Sequence, residues 1–264
     1  MHIWTVANQK GGVGKTTLVT SLAGLLAQRG KSVLMVDLDP HGSLTSYFGF
    51  DPDVVEPNLY DLFSDPGRTA NPQLAHPTAV EGLYLMPAST ALVTLDRQFG
   101  NRKGMGLVIK RAVTSMADRF EHTILDCPPM LGVLMVNALA ACHRLVIPVQ
   151  TEFLALKGLE RMVGTIEMIN RSRSKQLPYT IVPTLYDRRT RAANRTLEEI
   201  RQRYGDKVWG GAVPIDNQFR EASRDGLPLT VSLPWSRGSI AIRKLLEHLL
   251  VQDKLKGREV AKHG

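Results

Sequence analysis

The sequence predicts a single-domain α/β fold: a mostly parallel, twisted sheet with helices on both faces. Three observations carry this. Six short apolar, β-branched runs, "HIWTVAN", "SVLMVDLD", "GLYLMPA", "HTILDCPP", "RLVIPVQ" and "YTIVPTLY", alternate with stretches of helical period, the pattern of βαβ units whose strands are buried on both faces. The first run passes through a glycine-rich loop, "KGGVGK", into a helical stretch, the strand–loop–helix order of a phosphate site. The chain has 264 residues, 43% of them hydrophobic, enough for one sizeable core, so length does not force a second domain.

The elements follow in order. Thr16–Gln28 ("TTLVTSLAGLLAQ") spaces Leu and Ala as a helix does, and Gly30 stands just past it as a stop. Residues 50–80 are richer in Pro, Asp and Asn and read as a loop with a short helix around Leu59–Phe63. Ser239–Val251 places Ile242, Leu245, Leu246, Leu249 and Leu250 on one face. Such a stripe either lies on a membrane or packs onto a core, and packing is its ordinary use. From about Asp253 to Gly264 the chain is polar and reads as a frayed tail. No repeat or low-complexity segment divides the chain, so 1–264 is expected to be one domain.

Composition narrows the function classes. No apolar run approaches the ~20 residues that span a bilayer, and Met1–Gln9 reads as a strand, not a secretory leader. Stable membrane insertion is therefore not expected. Cys127 and Cys142 lie 15 apart, offering neither a C-x-x-C site nor a disulfide framework, which fits a reducing cytosol. The net charge is +8 and unevenly placed: residues 1–187 carry 17 Lys and Arg against 16 Asp and Glu, whereas 188–264 carry 16 against 9. A basic final third suits a polyanion, nucleic acid or membrane surface, or is simply a solvated face.

In the loop, Gly14-Lys15-Thr16 ends the phosphate-loop pattern G-x-x-x-x-G-K-[ST], but Gln9 stands where the leading glycine belongs and Lys10 follows it. Gly11, Gly12 and Gly14 let successive backbone N–H groups approach phosphate oxygens, and the helix N-terminus adds its positive dipole end. Lys15 would neutralise β- and γ-phosphate charge, and the Thr16 hydroxyl would ligate Mg²⁺. Such a loop needs an acid at the end of another strand to hold the metal's water shell. Asp126, ending "HTILD", fits that role or caps a turn. Asp37 and Asp39 close the second strand. Asp39 precedes Pro40 and lies at or past the strand end, where its carboxylate could orient a water or cap a turn.

Lys10-Gly11-Gly12-Val13-Gly14-Lys15-Thr16 resembles the deviant Walker A box of the ParA/MinD ATPases. The resemblance continues in order through "VDLDPHGS", "TILDCPP", "EFLALKGLERM", "PTLYDRRT" and "VPIDNQFREASRDGLP", nearly the whole chain. It implies a P-loop NTPase fold that binds ATP with Mg²⁺. Lys10 would reach across an ATP-dependent homodimer to the partner's phosphates. Lys10, Lys15 and Asp39 would form the catalytic set, with Asp39 activating water, and Thr16, Asp39 and Asp126 would be the metal residues. Lys10, Gly11, Gly12, Val13, Gly14, Lys15, Thr16 and Thr17 would line the nucleotide, with Thr17 on the α-phosphate and Pro214 and Asp216 on the adenine. Asp216 stands where the family has Asn, and as an acceptor only it weakens adenine selectivity. His41 replaces the usual Gln and is expected to pack or cap locally.

The resemblance also implies binding to double-stranded DNA without sequence preference. Arg189 matches a DNA-contacting arginine, with Arg191 and Arg195 close in sequence. A second family arginine is missing because Ile215 stands there, and Arg220 and Arg224 are the candidates for its place as DNA contacts. Alternatively these arginines pair with Glu198, Glu199, Glu221 and Asp225. Turnover would be slow and stimulated by a protein partner, either ParB-like or an adaptor of polar machinery. The protein would be cytoplasmic, on the nucleoid or at a cell pole. "DLDPHGSLTSYFGFDP" looks most like ParA-type proteins, which segregate chromosomes or plasmids, and Gly42–Asp51 leans toward the branch that positions chemotaxis arrays or flagella. Because the chain starts at its first strand, no N-terminal DNA-reading domain and no autorepression are expected. A MinD-like membrane ATPase would need a bulkier, more basic tail than "DKLKGREVAKHG". A cluster carrier of the nitrogenase-iron-protein or Mrp type would need cysteine ligands. A non-hydrolysing nucleotide-gated scaffold is opposed by Thr16, Asp39 and Asp126.

Overall fold

The computed structural model describes residues 1–64, 72–99, 104–171, 173 and 175–262. Its elements are β1 (His2–Val6), α1 (Lys15–Gln28), β2 (Val33–Asp37), α2 (Ser43–Tyr47), α3 (Leu59–Ser64), β3 (His76–Pro77), β4 (Leu83–Met86), α4 (Leu95–Phe99), α5 (Val108–Ser115), β5 (His122–Asp126), α6 (Val133–Ala141), β6 (Arg144–Gln150), α7 (Phe153–Arg171), β7 (Tyr179–Thr184), α8 (Arg191–Tyr204), α9 (Gln218–Arg224), α10 (Leu229–Ser232) and α11 (Arg237–Lys262). Four short 3₁₀ turns connect them. The strands form one seven-stranded sheet in the order β3-β4-β2-β5-β1-β6-β7. All pairings are parallel except the edge pair β3–β4. All six apolar runs form the parallel strands. The short helix near Leu59 is present, while residues 65–71 of the expected loop lie outside the described residues.

Alternate side chains of each strand enter different cores. Ile3, Leu34, Val36, Leu125 and Ile147 pack with α5, α6 and α7. Trp4, Val33, Met35, Ile124 and Val146 pack with α1 and α11. α1 lies under α10 and α11 as well as on the sheet, so every residue from Leu18 to Ala27 is buried. Gly24 makes this contact possible: a Cβ there would stand 2.8 Å from Pro228 and 3.0 Å from Val231. Gly30, at φ +74°, ends α1 by donating its N–H to the Ala27 carbonyl at 2.8 Å.

The C-terminal helix corrects the sequence expectation. α11 runs from Arg237 to Lys262, so the stretch expected as a frayed tail from Asp253 is helical through Lys262. The face bearing Ile242, Leu245, Leu246 and Leu249 is buried against the sheet. At its far end Asp253 accepts the Trp4 indole N–H at 2.8 Å and the Arg144 Nε–H at 2.6 Å. Trp4 and Arg144 are register neighbours on β1 and β6, so one carboxylate ties two strands to the last helix. A carboxylate that neutralises a buried guanidinium makes a polar residue part of the core.

Arg144 is 2% exposed. Asp253→Ala leaves its charge buried without a partner, and a loss of about 3–5 kcal/mol in unfolding free energy is expected. Urea denaturation reads it, and a loss below about 1 kcal/mol would mean that the guanidinium finds other solvation.

Candidate nucleotide site

The parallel strands end on one side of the sheet, where open α/β sheets bind ligands, and β1 lies between β5 and β6 at the point where the strand order reverses. The loop from Asn8 to Thr17 is set there by hydrogen bonds to β6 and β7. Asn8 donates from Nδ2 to the Pro148 carbonyl at 2.6 Å and accepts the Lys10 N–H on Oδ1 at 3.1 Å. Thr184, at the end of β7, donates to the Val13 carbonyl at 2.9 Å. Val13 is buried beneath the loop, while Gly11 and Gly12 face solvent. Gly12 and Gly14 take left-handed backbone, at φ +73° and +89°. Gly14 opens α1 with no side-chain cap, so the first-turn N–H groups remain available for an anion. Lys15 is buried, and its ammonium lies 3.3 Å from the Lys10 carbonyl, inside the curve of the loop. Thr17, half-buried, follows in the first turn.

The acids separate into three roles. Asp126, the last residue of β5, accepts the Thr16 hydroxyl on Oδ2 at 2.6 Å, and its buried Oδ1 has no hydrogen-bond partner. Asp37, the last residue of β2, is its register partner. Asp37 is saturated: it accepts the Thr45 N–H at 2.8 Å, the Thr45 hydroxyl at 2.7 Å and the Asp39 N–H at 3.1 Å. Burial and the neighbouring Asp37 charge push the Asp126 carboxyl up to about 8. Burial raises Asp37 to about 6 against the pull of the Thr45 hydrogen bonds. Asp39 lies past the strand end, as the sequence suggested, and accepts the His41 N–H at 3.0 Å and contacts the His41 ring at 2.9 Å. The His41 ring itself is 83% exposed, so it bonds in the local turn and does not pack.

Lys10 and Lys15 point to different places. The Lys10 ammonium meets Gln150 Oε1 at 3.3 Å and the Glu152 carboxylate, both at the end of β6. Next to that pair Phe153 and Leu154 are each 70% exposed, and Met130, four residues past Asp126, is 70% exposed. Sequence reasoning missed Asn8, Thr45, Gln150, Glu152 and Thr184 as site residues. Their one available signal was position: polar side chains at or just past the C-terminal ends of parallel strands or opening a short helix.

The more distant candidates form a second group. Pro214 is bridged to Tyr186. Asp216 accepts the Gln218 N–H at 3.1 Å and the Gly238 N–H at 2.9 Å, tying the starts of α9 and α11 together. Arg189 forks onto Asp187 at 2.9 and 2.8 Å, which holds the Asp187 carboxyl down at about 2. Arg224 pairs with Glu221 at 3.4 Å. Arg191, Arg195 and Arg220 are exposed and form no ion pair among the described residues. Of the pairings with Glu198, Glu199, Glu221 and Asp225, only Arg224–Glu221 is made; Glu199 bonds Arg203 instead.

Comparison with known proteins places this geometry. The AAA domain family model matches residues 1–179. The Soj protein of Bacillus subtilis, a sporulation initiation inhibitor, is 35% identical over 238 residues, covering 90% of this chain and 93% of its own. The chromosome partitioning protein ParA of Caulobacter vibrioides is 31% identical over 96% of both chains. Among solved structures, a cobyrinic acid a,c-diamide synthase from Mycobacterium smegmatis with bound ATP analog and magnesium superposes with a TM-score of 0.82 at 34% identity, over 96% of each chain. The cell division ATPase MinD of Pyrococcus furiosus shares the fold, with a TM-score of 0.75 at 23% identity over 95% of this chain and 99% of its own. Similar over nearly its whole length to Soj and ParA proteins, this chain belongs to the ParA/MinD family of partition ATPases.

Proposed function

We propose that this protein binds ATP with Mg²⁺, forms a homodimer around the nucleotide, and in that state binds double-stranded DNA without reading sequence. A partner protein then stimulates slow hydrolysis and resets the cycle. The observation that carries this reading is the divergence of the two lysines. Lys15 lies inside its own loop, whereas Lys10 lies outside it, on Glu152 and Gln150, beside exposed Phe153 and Leu154. A cation outside the curve, flanked by uncovered apolar side chains, suits the phosphates of a second subunit. Pro214 and Asp216 would flank the base. In Asp216 the adenine contact must share a carboxylate already tied to two backbone N–H groups. The synthase relative's name denotes amide formation; the partition reading is preferred because relatives of similar identity that match more than nine-tenths of this chain are named for chromosome partitioning.

The residues fit a magnesium ion. Asp126 keeps one buried oxygen without a partner, opposite the oxygen that holds the Thr16 hydroxyl. Among the described residues no three His, Cys, Asp or Glu could hold a metal alone, which suits an ion that keeps waters and phosphate oxygens as ligands. When bound, the ion neutralises phosphate charge. Thr16 and Asp126 would orient its shell, Lys15 would hold the β- and γ-phosphates, and Asp39 would align the attacking water. The DNA surface would comprise Arg189, Arg191, Arg195, Arg220 and Arg224, whose contacts to phosphate position the protein without reading bases. The cargo is a chromosome or plasmid, as the names of the relatives suggest, or polar chemotaxis or flagellar machinery, as the Gly42–Asp51 stretch suggests. The genes beside this one distinguish the two.

Lys10→Ala is expected to bind ATP but lose the ATP-dependent dimer on size-exclusion chromatography, and an unchanged dimer peak would sink the cross-subunit role. Lys15→Ala should weaken ATP binding at least tenfold, since a charged contact to phosphate contributes roughly 1.5–3 kcal/mol. Asp39→Ala should hydrolyse more slowly and hold the dimer. Filter binding on random duplex should rise with ATP and fall with salt at a log–log slope of about −0.9 per neutralised phosphate. Arg189→Glu with Arg224→Glu should abolish it at moderate salt.

A pH dependence follows from Asp126. Its carboxyl is raised from 3.8 to about 8, so the folded state holds the extra proton between those values. Nucleotide-free protein therefore loses stability as pH rises through that window. Asp126→Asn should flatten the slope in thermal melts across it; parallel curves for variant and wild type would refute the assignment. Asp37, raised to about 6 by burial, adds a slope of the same sign below about pH 6, and His122, held down at about 4 by burial and His2, one of opposite sign between about pH 4 and 6.5; both are common to the two proteins.

A further inference from the structure

A groove of about 710 Å³ opens between the loop after β7, the stretch from Trp209 to Asn217, and the first turns of α11. Ile215, Ile240 and Trp209 give it an apolar floor, and Arg188, Arg237 and Lys244 stand around it. None of the loop residues from Lys10 to Thr17 lines it, although Pro214, proposed above to flank the base, does. Its walls are fixed by the Tyr186–Pro214 bridge and by the Asp216 bond to Gly238, so a ligand would meet a formed surface. Ile215 and Ile240 are 47% and 41% exposed. One turn along α11 from Ile240, Arg243 lies over the ring of Trp235 at 5.5 Å, and that ring is 78% exposed.

Charge identifies the occupant. Arg188, Arg237 and Lys244 form no ion pair among the described residues, and Asp187, the acid in the groove's lining, is already taken by both arms of Arg189. Three cations around an apolar floor repel one another until an anion lies between them. DNA phosphate would use the cations and leave Ile215, Ile240 and Trp235 wet. We propose that this groove is a docking site for an acidic protein segment carrying bulky apolar side chains, with carboxylates on Arg188, Arg237 and Lys244 and apolar anchors on Ile240, Ile215 and Trp235. Uncovered apolar surface ringed by unpaired charge of one sign is the composition of a peptide-binding site. Arg189, a proposed DNA contact, also lines this groove, so an acidic segment there would neutralise the cations around it and weaken duplex binding where that reading holds.

Selection of a random-peptide display library on the full chain, saturated with ADP and Mg²⁺, tests this. Enriched peptides should be acidic with bulky apolar residues. Trp235→Ser with Ile240→Ser keeps every cation and alters only exposed side chains. It should weaken the selected peptides at least tenfold while leaving random duplex binding unchanged. Arg237→Glu with Lys244→Glu should also weaken the peptides at least tenfold, with unchanged melting temperatures as the control for folding. Enrichment of neutral or basic peptides, no enrichment, or acidic peptides indifferent to both double variants would overturn the proposal. If the serine variant loses duplex to the same degree as peptide, the face is a DNA surface instead.

Discussion

Two buried carboxylates in direct register, Asp37 and Asp126 at the ends of neighbouring strands, set the terms for the whole site. Two such groups cannot both ionise cheaply out of water. The structure treats them differently. Asp37 receives three hydrogen bonds, two of them from Thr45, and its charge is spent on holding α2 and turning the chain toward Asp39. Asp126 receives one, from Thr16, and keeps an oxygen bare. The unsatisfied oxygen, the buried Lys15 and the uncapped start of α1 are thus parts of one unfinished charge arrangement. In the proposed reading a nucleotide phosphate with its cation would complete it, and local disagreement of this kind marks a functional end of a sheet.

The other end of the sheet is finished. There Asp253 satisfies Trp4 and Arg144 together, and Arg144 also donates to Thr180 at 3.3 Å. His122 packs against His2 and Trp4 with ring centroids 5.4 and 5.7 Å away and stays neutral. β1 therefore runs from a closed, stabilising network to an open, binding one within five residues. The division follows from parallel strands, which put every strand start on one side and every strand end on the other.

The parallel strands were legible because each is buried on both faces and leaves an apolar run. β3 was not: two residues are too short to show alternation, and Pro77 can serve only at an edge. The end of α11 was hidden because its anchor, Asp253, looks like tail composition until Trp4 and Arg144, 249 and 109 positions away, come alongside. That the glycines, Lys15, Thr16 and Asp126 lie together at one end of the sheet was legible from local order alone. The division of labour between Asp37 and Asp39 was not, since it rests on Thr45 returning from α2. Asp216 shows the limit of aligned position: its carboxylate is engaged by two helix starts, a use that no motif announces.

The resting partners of Lys10 bear on how the proposed cycle is driven. Glu152 and Gln150 hold its ammonium at a partly exposed site, and an ion pair of that kind contributes only about 0–1 kcal/mol. A contact to phosphate contributes roughly 1.5–3 kcal/mol, so exchange of Glu152 for a partner subunit's γ-phosphate is favourable by a small margin, once on each side of a two-fold dimer. Burial of Phe153, Leu154 and Met130 would add to it at about 25 cal/mol per Å². Neither contribution is large against the translational and rotational cost of association, about 4–15 kcal/mol. In the proposed cycle an interface with so little surplus would form when the terminal phosphate is present and fail when it leaves, which is what a dimer timed by hydrolysis requires.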